Sequence, residues 1–96
     1  MTELDVMCTP IAGEDAWTCR VTVDVSGGSQ TEHRVRVEVA DLERLDPGAR
    51  DPHLLVNRSF RFLLAREPAT SILRSFDLPE IARYFPEYEP EIRREK

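Results

Sequence analysis

Four side chains in this sequence are of types that do chemistry near neutral pH: Cys8, Cys19, His33 and His53. Two thiols and two imidazoles would suffice in kind for a zinc site. Zinc sites of this make-up draw their ligands from closely spaced pairs of cysteines or histidines, and no such pair occurs here. No metal is therefore expected. A disulfide between Cys8 and Cys19 is geometrically open. The chain otherwise has the character of a cytosolic protein, so reduced thiols are the expectation.

Catalysis asks for a nucleophile or an acid–base pair with converging partners. His33 falls on the apolar face of an alternating segment, where a structural histidine is the simpler reading than a general base. His53 falls in the first turn of a helix, where the helix dipole disfavours its protonated form. Ser59 and Ser71 lack the G-x-S-x-G setting of a nucleophile elbow. No phosphate loop, H-E-x-x-H, calcium loop or dinucleotide fingerprint occurs. No catalytic residue and no cofactor are expected.

Three arginines form a second constellation. Arg20, Arg34 and Arg36 share the polar face of two alternating segments. A sheet face that reads RNA usually offers aromatic stacking platforms, and this one has none. Asp24, Glu32 and Glu38 share the face as well, which makes local ion pairs the simpler reading. Ribbon-helix-helix proteins also use strands on DNA, but with one short strand before two helices, unlike the order found here.

The elements that carry these residues can be read from composition and pattern. Ninety-six residues make one domain with a modest core. The N-terminus MTELDVMCTP is acidic and lacks the apolar centre of a signal peptide, and no apolar run is long enough to span a bilayer. A cytoplasmic protein without membrane contact is expected. The formal charge is −5, with ten acidic against five basic residues over 1–50 and eight against eight over 51–96. An acidic chain is repelled by a phosphate backbone, which weighs against general nucleic-acid binding. All but one of the 13 basic residues are arginine, a composition bias typical of a GC-rich bacterial genome.

Residues 1–15 hold a short alternation, Leu4, Val6 and Cys8 against Glu3, Asp5 and Met7, which is either an edge strand or a loose terminus. Residues 16–39 predict a β-hairpin. Trp17, Cys19, Val21, Val23 and Val25 alternate with polar residues, Gly27 and Gly28 permit the reversal, and His33, Val35, Val37 and Val39 alternate again. The preferred register uses a long loop that sets Asp24 opposite Arg34 and Arg20 opposite Glu38. Shorter spacings either split the apolar faces or oppose like charges. Ala40–Leu45 predicts one helical turn aiming Leu42 and Leu45 inward, and Asp46-Pro47-Gly48 a tight turn.

Residues 51–86 predict a helical core. Asp51-Pro52 starts a helix whose wide stripe contains Val56, Phe60, Leu63 and Leu64, broadened by Leu55 and Phe62. Pro68 stops it. Thr70 or Ser71 is expected to cap a second helical piece with Ile72, Leu73 and Phe76. Asp77 and Glu80 make a capping-box signal before a third piece with Ile81, Ala82, Tyr84 and Phe85. Residues 87–96 are polar, contain Pro90, and are expected to fray or remain disordered.

The expectation is an α+β fold: an N-terminal antiparallel hairpin of two or three strands, followed by two or three helices packed on one face. The functional expectation is a small interaction or accessory module, homodimeric or bound to another protein. Phe62, Tyr84 and Phe85, at the margins of the apolar stripe, are the candidate partner contacts. The alternative is a nucleic-acid-binding regulator of antitoxin type using Arg20, Arg34 and Arg36. An enzyme of unrecognised class ranks third.

Overall fold

Residues 2–94 are described by a computed structural model. The period-two pattern produces three long strands, β1 (Thr2–Pro10), β2 (Ala16–Val25) and β3 (Ser29–Glu38), joined as antiparallel neighbours. Then come α1 (Val39–Leu45), α2 (His53–Leu64), a three-residue strand β4 (Ser75–Asp77), α3 (Ile81–Tyr84) and α4 (Tyr88–Arg94). The sheet order is β1-β2-β3-β4, with β4 parallel to β3. The fold is α+β as expected, but the sheet has four strands rather than two or three.

One face of the sheet is covered. Cys19, Val21, Val23, Val35 and Val37 point into a core completed by Leu55, Val56, Phe60 and Leu63 of α2, Leu42 and Leu45 of α1, and Tyr88 and Ile92 of α4. The other face is polar. Leu4, Val6 and Cys8 pack at the margin of the core, so the N-terminal alternation is an edge strand and not a loose end.

The hairpin register differs from the expected one. β2 and β3 are joined by Ser26-Gly27-Gly28 alone, and the ladder sets Arg20 opposite Arg34, Thr22 opposite Glu32 and Asp24 opposite Gln30. Gly27 and Gly28 have φ of 108° and 98°, and the Gly28 N–H donates to the Val25 carbonyl at 3.2 Å, closing the turn. A short loop costs less closure entropy and keeps the ladder long. Those gains outweigh the few tenths of a kcal/mol that opposed like charges cost.

Cys8 and Cys19 correct a second expectation, because they are joined in a disulfide. They are directly opposite one another in the β1–β2 ladder. The Ile11 N–H donates to the Ala16 carbonyl, which makes Ile11 and Ala16 a hydrogen-bonded pair. Counting back along the alternation, Cys8 and Cys19 occupy a non-hydrogen-bonded position, where opposing side chains are closest. Pro10 falls at another such position, so its missing N–H leaves no gap in the ladder.

Two corrections concern the second half. The piece expected as a helix over Ile72–Phe76 is a 3-10 turn, Ala69–Ser71, followed by β4. The Arg34 N–H donates to the Arg74 carbonyl at 2.7 Å, so the segment satisfies its backbone against β3 instead of against itself. The stretch expected to fray forms α4, with Tyr88 and Ile92 fully buried. Pro90 lies in the first turn of that helix, where its missing N–H has no partner to lose. Glu95 and Lys96 lie outside the described residues.

The remaining signals behave as their chemistry directs. α2 starts one residue later than an Asp51 cap with Pro52 as first helical residue would place it, because Pro52 is the N-cap. The Asp51 carboxylate accepts from the His53 N–H, which holds its pKa below the usual carboxylate value. Asp77 and Glu80 form the reciprocal capping box. Gly48, with φ of 89°, lets the Ala49 N–H reach the Asp46 carbonyl. Among the described residues, no helix is long and apolar enough to cross a membrane.

Candidate functional site

The C-terminal end of α2, the turn before β4, β4 itself and α3 surround a groove of about 420 Å³. Its floor is Leu63, Ile72, Phe76 and Ile81, all buried in the core. Its walls are Leu73, Tyr84 and Phe85. Leu73 is 47% exposed and Tyr84 67%, two of the four large hydrophobic residues in the described chain that stand open to solvent. Glu67, Ser71 and Glu80 complete the lining, which contains no basic residue.

Local chemistry holds these walls. The capping box fixes the entry to α3: the Glu80 carboxylate accepts from the Asp77 N–H at 2.8 Å. Pro68 and Pro86 bound the segment, keeping it from merging with α2 or α4. Leu73 is tethered from beneath by His33, whose Nδ1 lies 2.8 Å from the Leu73 carbonyl. A carbonyl can only accept, so Nδ1 carries the ring proton. Nε2 faces the Thr31 hydroxyl at 2.9 Å.

His33 is 1% exposed and packs its ring 5.3 Å from that of Phe60. Both nitrogens are engaged, so its observed work is to position the groove wall. His53 is exposed and bonded to Asp51. Ser59 is buried and donates to the Leu55 carbonyl of its own helix. Among the described residues, no group of three or more His, Cys, Asp or Glu side chains is placed to hold a metal ion.

Of the three residues expected at a partner surface, Tyr84 and Phe85 line the groove. Phe62 does not. It is 8% exposed, lies edge-on to Phe85 and Tyr88 with ring centroids 5.8 and 5.3 Å away, and is capped by the Arg66 guanidinium 3.6 Å from its ring. Most of its surface is buried in the fold, and the remainder borders a separate hollow between α2 and α4. Leu73 is the wall residue that pattern reading missed. Ile72 and Phe76 stand four apart, a helical spacing, and a helix there would have hidden the strand that turns Leu73 outward.

The three hairpin arginines separate in the same way. Arg36 is bonded to Glu14 at 2.7 Å, which raises its pKa above the ordinary guanidinium value. Arg20 and Arg34 are paired across the β2–β3 ladder on the open face, and Arg34 lies opposite Ser75 of β4. Among the described residues neither has an ion-pair partner.

Comparison with family models, with curated proteins and with solved structures finds no match.

Proposed function

We propose that the chain is a peptide-binding module whose groove takes an apolar segment of another protein flanked by lysine or arginine. One observation carries the reading: Leu73 and Tyr84 stand open on either side of an apolar hollow whose floor is continuous with the core. Exposed apolar surface gathered around a concavity marks recognition, whereas single exposed apolar residues are ordinary. The volume falls within the roughly 300–1,000 Å³ usual for ligand clefts.

Charge selects the occupant. Glu67 and Glu80 are the only ionisable acids or bases in the lining apart from the Tyr84 phenol, and the whole chain carries −5. An acidic rim favours a cationic flank and discourages acidic partners, a second copy of this chain among them. The nucleic-acid alternative has less support, since Arg36 is committed to Glu14 and acidic side chains interrupt the rest of that face. The disulfide removes one ground for a reducing cytoplasm.

Selection from a displayed library of random peptides tests the reading. Enriched sequences should share one or two large apolar residues beside Lys or Arg. Their affinity should fall about tenfold or more for Leu73→Asp and for Tyr84→Ala, a loss of the size expected when a central apolar contact is removed. Enriched peptides that bind both variants as well as the wild type would overturn it. So would acidic consensus sequences, or light scattering that finds a dimer dispersed by Leu73→Asp.

A further inference from the structure

We propose that Arg20, Arg34 and Arg74, with the Ser75 hydroxyl, form a site for a single phosphate group on the open face of the sheet. Two adjoining hollows of about 240 and 190 Å³ meet at Arg20 and Arg34. Met7, Thr9 and Thr18 line the first, and Glu32, His33, Arg74 and Ser75 line the second. The ladder sets Met7, Arg20, Arg34 and Ser75 in one row across all four strands.

Three features distinguish this patch from scattered surface arginines. The register sets Arg20 and Arg34 directly opposite one another on the open face, and like charges so placed cost free energy unless an anion lies between them. Among the described residues, no carboxylate forms an ion pair with Arg20, Arg34 or Arg74. Arg50, Arg61, Arg83, Arg93 and Arg94 lack an ion pair as well, but only here do three such arginines line one hollow. Three arginines and Glu32 give the cleft a formal charge near +2, which matches the −1.5 to −2 that a phosphate monoester carries at neutral pH. Guanidinium forks suit phosphate oxygens, and a hydroxyl adds a neutral donor.

The surroundings limit the ligand to one such group. Glu3, Asp5, Asp24, Glu38 and Asp77 occupy the rest of the open face, and Arg36 is held by Glu14. A polyanion would meet that acidic surround after its first phosphate. The site differs from the groove in charge and in face, although two elements border both. Phe76 lines the groove and Ser75 the cleft, and His33 lines the cleft while bonding the Leu73 carbonyl of the groove wall.

The test is an NMR titration of the arginine Nε–H and Ser75 amide signals with inorganic phosphate, against acetate and chloride at matched ionic strength. Phosphate should give saturable shifts at Arg20, Arg34, Arg74 and Ser75 with Kd on the order of 1 mM. Arg20→Gln and Arg34→Gln should each weaken it by about tenfold or more, as loss of a charge-assisted hydrogen bond implies. Arg36→Gln should leave it unchanged. Because the opposed charges are a strain on the fold, Arg34→Gln should also unfold no earlier than wild type. Equal shifts with acetate or chloride, shifts that never saturate, or equal weakening by Arg36→Gln would each overturn the proposal. A titration with phosphoserine then distinguishes an esterified phosphate from free phosphate as the better ligand.

Discussion

Tyr84 and Tyr88 lie a single helical spacing apart in sequence and have opposite surroundings. Tyr88 is the largest fully buried side chain, and its hydroxyl donates to Ser59 Oγ at 2.6 Å, Ser59 having given its own proton to the Leu55 carbonyl. The ring meets Phe62, which Arg66 covers, and Arg66 is itself bonded to Glu91 at 2.8 Å and Glu87 at 3.3 Å. The floor of the seam between α2 and α4 is therefore filled in both apolar and polar terms. The hollow of about 710 Å³ above it is lined mainly by charged side chains, Arg58, Arg61, Arg66, Glu91 and Arg94, over Phe62 and Ala65. Tyr84 looks across the seam between α2, β4 and α3, where it is 67% exposed and nothing among the described residues covers it. The difference shows where the surplus apolar material of a small domain goes. One seam spends it on stability, and the other leaves it for a partner.

Breaking the closed seam should have the largest effect. Tyr88→Ala leaves a cavity at the centre of the core and removes the donor to Ser59 Oγ, and should destabilise the fold by about 3–5 kcal/mol in urea unfolding. A loss below about 1 kcal/mol would mean the seam is not closed. Next comes the disulfide. Reduction should cost about 2–4 kcal/mol while leaving groove affinity unchanged, because β1 and β4 are opposite edges of the sheet. Intact mass should rise by the mass of two hydrogens on reduction, which reads the bond directly.

The pH dependence sharpens the contrast further. Burial pushes the Tyr88 hydroxyl well above the ordinary tyrosine value of 10.0. The folded state then holds a proton that the unfolded chain releases first. Stability should be level with respect to this group below about pH 10 and fall above it by up to about 1.4 kcal/mol per pH unit. Tyr88→Phe should remove that alkaline slope and Tyr84→Phe should not. The smallest effect on stability belongs to the open seam. Tyr84→Ala should change unfolding by no more than about 0.5 kcal/mol, the range of an exposed substitution.

Much of this arrangement can be read in the sequence because the relevant signals are local. Alternating valines announce β2 and β3, Asp77 and Glu80 announce the capping box, and Asp46-Pro47-Gly48 announces its turn. The parts that escape reading are decided by distant contacts. β4 is too short to show alternation and exists because β3 offers it a backbone partner. The register is set by loop length against charge, two terms of similar size. Tyr88 and Ile92 look like two apolar residues in a charged tail until α2 is there to receive them. The groove was half legible: Tyr84 and Phe85 stand at the margin of a helical stripe, whereas Leu73 becomes a wall only through β4.

The most direct test is an amide shift map of the labelled protein titrated with a selected apolar-basic peptide. Saturable shifts should gather at Glu67, Ile72, Leu73, Phe76 and Tyr84, with the amides of Tyr88 and Ile92 little changed. Shifts centred on the α2–α4 seam or on the open sheet face, with Leu73 and Tyr84 silent, would contradict the division of the molecule into a closed seam and an open one.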